Sequence, residues 1–255
     1  MTLIGLANPT RFLSLTARLM PILVAGTAIV LAVGIYLSAT APNDYQQGAT
    51  VKIMFIHVPN AWLSMFVWAV MSTTALGTLV WRHPLADVAA KAAAPLGASF
   101  TFLALVTGSL WGRPMWGTYW EWDARLTSVL ILFLMYLGLM ALWRAVDDPS
   151  RAARAAAVLT LVGAINLPIT KFSVDWWNTL HQPASVFRME GPALDRAFLI
   201  PLLVMAGGFT MLFVTLYVAA MRNEILRRRV RALQMMQARA ASGEVGAASP
   251  ASQPA

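Results

Sequence analysis

The chain contains no cysteine. That excludes disulfides, thiolate metal sites, thiol nucleophiles and any covalent porphyrin attachment through C-x-x-C-H. Charge is also scarce. Asp, Glu, Lys and Arg make up 12% of the 255 residues, against about 25% in ordinary soluble domains. A chain so poor in charge cannot cover a water-facing surface. There are three lysines, Lys52, Lys91 and Lys171, and none follows a glycine. A phosphate-cradling G-x-x-x-x-G-K-[ST] loop is therefore absent, and with it ATP hydrolysis of that kind. What is abundant is apolar: 58% of residues, with a mean hydropathy of +0.64. This composition reads as a polytopic membrane protein.

A spanning helix needs about 20 mostly apolar residues. Six stretches qualify: Leu19–Ala39, Val58–Trp81, Ala92–Leu110, Leu126–Trp143, Ala155–Thr170 and Ala197–Met221. The signal is continuous, whereas a membrane barrel alternates over segments of about ten residues. The predicted fold is all-α, with six transmembrane helices. The fifth stretch is short and holds Asn166 and Pro168, so its end is predicted to be broken. Ala39-Thr40-Ala41 resembles a signal cleavage site, but the apolar run before it is long for a signal peptide, and it is read as an uncleaved anchor.

With the N-terminus inside, thirteen of the nineteen Lys and Arg fall on the inner side and six outside. The excess of positive charge on short inner loops predicts both termini inside. The formal charge of +8 is then an inner-face property that sets topology and meets anionic lipid, not nucleic acid. After Met221 the chain is predicted to continue as a basic helix, with Ile225, Leu226, Val230 and Leu233 on one side. From Ala240 to Ala255 it is small and polar and predicted to be disordered. The organisation is thus a six-helix region over 1–225, an outer segment over 111–128, and a basic helix and tail over 226–255. No inner segment is long enough to hold a soluble catalytic domain, so no enzyme activity is expected.

The unusual chemistry gathers on the outer side. The second outer connection runs from Trp111 to Arg125 and includes Trp111, Trp116, Tyr119, Trp120 and Trp122. Gly112, Pro114 and Gly117 break a helix and let the chain turn tightly. A helical turn from Trp116 would set Trp116, Tyr119, Trp120 and Asp123 on one face. Two readings stand: an interfacial aromatic belt, or an apolar shelf for a large flat ligand. Six of the ten Trp lie in outer connections, while only Trp81 and Trp143 mark the inner edge. That asymmetry favours the shelf. Asp123 and Arg125 are placed either to pair or to offer Arg125 to a ligand carboxylate.

Of three histidines, His83 reads as an ordinary inner loop residue. His57 and His181 are both outer and both stand in H-x-P, each predicted to precede a helix with proline early in it. As single residues they would be loop histidines. As a pair returned to one membrane face beside a tryptophan shelf, they suit the two axial positions of a six-coordinate haem iron. The outer cations Arg113, Arg125, Arg188, Arg196, Lys52 and Lys171 are then candidates for haem propionates, with Arg the better bidentate partner.

The run Trp111-Gly112-x-Pro114-x-Trp116-Gly117-x-x-Trp120-x-Trp122-Asp123-x-Arg125-Leu126-Thr127-Ser128 resembles the tryptophan-rich "WWD" signature of a haem-handling family, and within it the haem exporter protein C (CcmC) type of the cytochrome c maturation system. The resemblance covers residues 15–225. Tyr119 stands where that family commonly has another Trp, which keeps an aromatic face. The resemblance implies a protein of the bacterial inner membrane that holds haem b, without a covalent bond, at the periplasmic face. It implies His57 and His181 as axial ligands, and Trp116, Trp120, Trp122 and Asp123 as the platform. Trp111 and Tyr119 belong to the same surface, and Arg125 with Arg113 or Arg188 would meet the propionates. It implies delivery to a periplasmic haem chaperone, CcmE, beside an ATP-binding-cassette pair, CcmA and CcmB, and a one-span subunit, CcmD.

Two other classes are kept. A b-type electron-transfer protein would also use two histidines, although such bundles place them within facing spans. A permease would need polar groups in its spans, and Asn166 and Thr170 are the best available.

Overall fold

The computed structural model describes residues 8–182, 185–186 and 188–247, with side chains as far as residue 241. The described residues are all-helical, with no strand. Helix α1 is Pro9–Thr40. A 3₁₀ turn, Ala49–Ile53, runs directly into α2, Met54–Leu79. Then come α3, Ala86–Trp116, α4, Ala124–Ala145, α5, Pro149–Gly163, α6, Asn166–Trp176, and α7, Arg196–Ala247. Six segments are long and apolar enough to cross a membrane, with α5 and α6 forming one of them.

Side chains start the helices where backbone N–H groups would otherwise lack partners. Asn8 Oδ1 accepts from Thr10 N at 2.8 Å ahead of Pro9. Asp148 Oδ1 does the same for Ser150 N, 2.7 Å, ahead of Pro149. Asp123 Oδ1 accepts from Leu126 N, 2.7 Å, and opens α4.

Helix α2 is the centre. It packs on α3, α5 and α7, while α1 packs chiefly along α7. The core joins Leu63, Val67, Trp68 and Met71 of α2 to Ala93 and Ala94 of α3, Leu132, Tyr136 and Leu139 of α4, Ala156 of α5 and Phe213 of α7. Two of its polar side chains bond across helices: Trp68 Nε1 donates to Thr160 O, 3.0 Å, and Tyr136 Oη to Ser64 O, 2.8 Å. Thr27 and Thr215 bond across α1 and α7 at 2.8 Å. In an apolar surround such groups must find partners within the protein.

The ends of α2–α3, α4–α5 and α7 meet at one end of the bundle, where the charges cluster. Arg228 of α7 forks onto both carboxylate oxygens of Asp87, 3.0 and 2.9 Å, and its Nε reaches Glu224 at 2.9 Å. Lys91 meets Glu224 at 3.1 Å. Ile225 is buried against α3 while Leu226, Val230 and Leu233 stay exposed, so these four do not share one face. Helix α7 also runs on to Ala247, past Ala240 where composition predicts loss of structure. Residues 248–255 lie outside the described residues.

Candidate functional site

The opposite end carries the tryptophans, and here the chain departs from the sequence expectation. Helix α3 continues through Gly112 and Pro114 to Trp116, so Trp111 and Trp116 are helical. Pro114 has no N–H to offer Leu110 O, and α3 continues past that one lost bond. The break falls at Gly117, whose φ of 79° is left-handed and suits glycine. Residues 118–123 are not helical. Thr118 Oγ1 turns the chain by donating to Trp120 O, 2.8 Å, and Asp123 is extended as the α4 cap. Trp116, Tyr119, Trp120 and Asp123 therefore do not share a helical face. Trp120 and Trp122 instead meet edge to face at 5.4 Å. Trp122 is 73% exposed, whereas Trp120 Nε1 is buried without a partner.

The histidines also differ from their predicted setting. His57 lies in the first turns of α2, because the 3₁₀ turn hands over at Met54, and Pro59 is well inside the helix. His181 lies in a loop, and Pro183 is outside the described residues. The loop is turned by Thr179, whose Oγ1 accepts from His181 N at 3.3 Å.

The Nδ1 of each imidazole faces a protein oxygen, but only that of His57 is hydrogen-bonded, and His181 Nδ1 is buried without a hydrogen-bond partner among the described residues. His57 Nδ1 stands 3.1 Å from Ala104 O and 3.2 Å from Thr107 Oγ1 on α3. A ring N–H facing a main-chain carbonyl leaves the lone pair on Nε2. The His57 ring also meets Trp111 edge to face at 5.7 Å, and Trp111 Nε1 donates to Gln47 Oε1 at 2.9 Å. His181 Nδ1 is 3.5 Å from Asp123 Oδ2, and its ring lies against Trp116 at 4.8 Å. Burial pushes His181 below its ordinary pKa, with the Asp123 carboxylate pulling the other way and Arg125 adding to the fall. A neutral imidazole is the form that binds a metal.

Asp123 is buried, with both carboxylate oxygens turned to protein groups. It caps α4 with one oxygen and with the other accepts from Leu180 N, 3.3 Å, beside His181. Nor does it pair with Arg125. The Arg125 guanidinium spans from α4 to α6, donating to Ser173 Oγ and Lys171 O, both at 3.2 Å. Arg113 donates to Gly117 O and lies over the Tyr119 ring at 5.5 Å. Arg188 pairs with Glu190 at 3.3 Å, and Lys52 Nζ donates to Ala39 O. Gln47, Ala104, Thr107, Gly108, Ser173 and Thr179 are framing residues that sequence reading did not single out. Each acts across the chain or through a local turn, so no linear pattern marks them.

Among the described residues no three His, Asp, Glu or Cys side chains converge on one point. Asn166 and Thr170, the polar residues of the fifth span, are taken up structurally: Asn166 Nδ2 donates to Ser128 O, 2.9 Å, and Thr170 Oγ1 to Asn166 O, 2.9 Å.

A family model described as "Heme exporter protein C" matches residues 2–236. Proteins of that name resemble the chain closely. One from Bradyrhizobium diazoefficiens is 84% identical, over 98% of this chain and 95% of its own. One from Escherichia coli is 49% identical over 88% of this chain and 91% of its own. One from Paracoccus denitrificans is 46% identical over 92% and 98%.

Proposed function

The chain belongs to the haem exporter protein C family, and on that premise we propose that it holds haem b as cargo between His57 and His181. The cargo is bound without a covalent bond and passed to a periplasmic haem chaperone, CcmE, in c-type cytochrome maturation. The observation that carries this reading is the shared design of the two histidines. Each turns Nδ1 toward a protein oxygen, His57 hydrogen-bonded to Ala104 O and His181 facing the Asp123 carboxylate at 3.5 Å, with the Nε2 side of each ring left for iron. A carboxylate or carbonyl behind a ligating histidine fixes its orientation and raises its basicity.

The aromatic residues serve the flat faces and edges of the ring. Trp111 and Trp116 sit directly against the histidines, while Tyr119 and Trp122 are exposed and suited to a large planar ligand. Arg113 is exposed and held by weak neighbours, and with Arg125 or Arg188 it supplies charge for propionates. Exposed aromatic side chains at this end fit a protein that must give its cargo away.

In this reading the protein lies in the bacterial inner membrane with both termini cytoplasmic. The Arg-rich end around Arg228 is the inner one, as the distribution of Lys and Arg favours. The chain has no phosphate-binding loop, so energy comes from a partner ATPase pair, CcmA and CcmB, with CcmD as a further subunit. The protein performs no bond-making itself and positions a cofactor for chemistry done elsewhere.

The test is the absorption spectrum of the full-length protein purified with CcmE co-expressed. Wild type should show sharp low-spin haem bands. His57→Ala and His181→Ala should each lose them. Unaltered bands in both variants would overturn the axial-ligand assignment.

A further inference from the structure

We propose that Gly108 and Thr107 of α3 are positioning residues for the haem iron, which fix the His57 ring so that Nε2 is presented as an axial donor. The inference rests on the bis-histidine reading above and adds to it what sets the donor's place.

The His57 ring fills a notch in α3 at Gly108. A Cβ added at Gly108 would stand 2.9 Å from His57 Cε1, 3.4 Å from Nδ1 and 3.8 Å from Nε2. The first distance is closer than real Cβ contacts come, and the ring is not a floppy chain end that can swing aside. Trp111 backs it at 5.7 Å, and Gln47 in turn holds Trp111. The side chains and carbonyls bordering the notch take the ring's other nitrogen. Ala104 O, one turn before Gly108, and Thr107 Oγ1, the residue before it, both lie within 3.2 Å of Nδ1. Thr107 Oγ1 itself donates to Leu103 O at 2.6 Å. Its hydrogen is therefore committed, and the oxygen faces Nδ1 as an acceptor. Both acceptors then require Nδ1 to carry the proton. Nε2 takes no protein partner among the described residues.

Glycine has no other evident use here. Gly108 sits inside α3 and is not left-handed, and in a helix interior alanine is the better residue. Gly108→Ala should thus keep or strengthen α3 while tilting the ring off its acceptors. Gly138 supplies the control, because a Cβ there meets nothing within 4 Å.

The experiment compares Gly108→Ala, Thr107→Val, Gly138→Ala and His57→Ala in the full-length protein purified with haem, with circular dichroism to confirm helix content. Gly108→Ala should retain haem through His181 but lose at least half of its low-spin absorption to high-spin bands, and millimolar imidazole should restore it. Thr107→Val keeps the notch and removes one acceptor. It should release haem to apomyoglobin several-fold faster than wild type. Gly138→Ala should match wild type in both. A residue that only packs helices would change helix content or melting without an imidazole-reversible change of spin state. Unchanged low-spin bands in Gly108→Ala overturn the notch. If that variant does not fold, an unchanged release rate in Thr107→Val overturns the proposal by itself. If His57→Ala keeps the wild-type bands, the bis-histidine reading fails and the positioning claim falls with it. If His57→Ala loses them and Gly108→Ala does not, only the positioning claim falls.

Discussion

Asp123 Oδ2 stands 3.5 Å from His181 Nδ1 while Asp123 Oδ1 accepts the Leu126 N–H at 2.7 Å. One carboxylate thus starts α4 and faces the loop histidine, so that the tryptophan segment and the His181 loop meet on a single side chain. Two substitutions separate the roles. Asn retains the cap and removes the charge. Ala removes both. Asp123→Asn should fold with near-native stability and weaken haem retention by about 10–100-fold, the usual cost of losing a partner behind a ligating histidine. Asp123→Ala should show the same weakening and in addition lose about 1 kcal/mol of stability. Haem loss to apomyoglobin and thermal unfolding measure the two effects. Equal retention in Asp123→Asn and wild type would remove the carboxylate from the site.

Gln47 reaches 64 residues along the chain to accept the Trp111 N–H at 2.9 Å. Gln47→Ala leaves that N–H without its partner and should cost about 1 kcal/mol. Trp111→Phe removes the donor along with the need for it. The double variant Gln47→Ala, Trp111→Phe should therefore be no less stable than Trp111→Phe alone, measured by thermal unfolding. Additive losses would show that Gln47 acts on something other than Trp111.

The six spans were legible because each is a continuous apolar run, and backbone polar groups in lipid leave only helix or closed barrel. The two histidines and the tryptophans were legible by type, since unusual residues stood out against a small charged fraction. Their arrangement was not. Gly112 and Pro114 look like breakers, yet α3 continues to Trp116: Pro114 forfeits one bond, to Leu110 O, and Gly112 lies under the Trp116 ring. Sequence spacing alone sets Asp123 beside Trp120 and Arg125, but capping decides its place: an Asp ahead of an apolar run takes an orphan N–H of α4. The anchors of His57 were invisible, since a main-chain carbonyl has no sequence signature and Gly108 is one of 16 glycines.

Arg125 ties α4 to α6 with two bonds at 3.2 Å, to Ser173 Oγ and Lys171 O. A lysine presents a point charge and cannot reproduce the fork. Arg125→Lys should therefore keep the charge but lose one of the two anchors, with a loss of about 1–2 kcal/mol. Arg125→Ala should lose more. If Arg125 also meets a propionate, Arg125→Lys should hold haem better than Arg125→Ala, whatever their stabilities. Equal haem retention in the two variants at matched folded fraction would confine Arg125 to bridging the helices.

Glu224 lies at the far end of the bundle, with its side chain 8% exposed between Lys91 at 3.1 Å and Arg228 at 2.9 Å. The Arg228 fork onto Asp87 is partly open to solvent, so no single bond there is strong. Removing the most buried member is different, because it strands Lys91 and half of the Arg228 guanidinium without compensation. Glu224→Ala should cost about 2 kcal/mol, and Lys91→Met in the same chain should return part of that by removing the stranded charge. High salt should narrow the difference between Glu224→Ala and wild type, since screening weakens what the exposed partners contribute. Through all of this the haem spectrum should not move, because α3 separates Lys91 from Gly108 by seventeen residues, about 25 Å at the rise of an α-helix. Thermal unfolding read by circular dichroism, with the haem bands followed in the same sample, measures both. A change of spin state in Glu224→Ala at temperatures where the helices are intact would mean that the two ends of α3 are coupled.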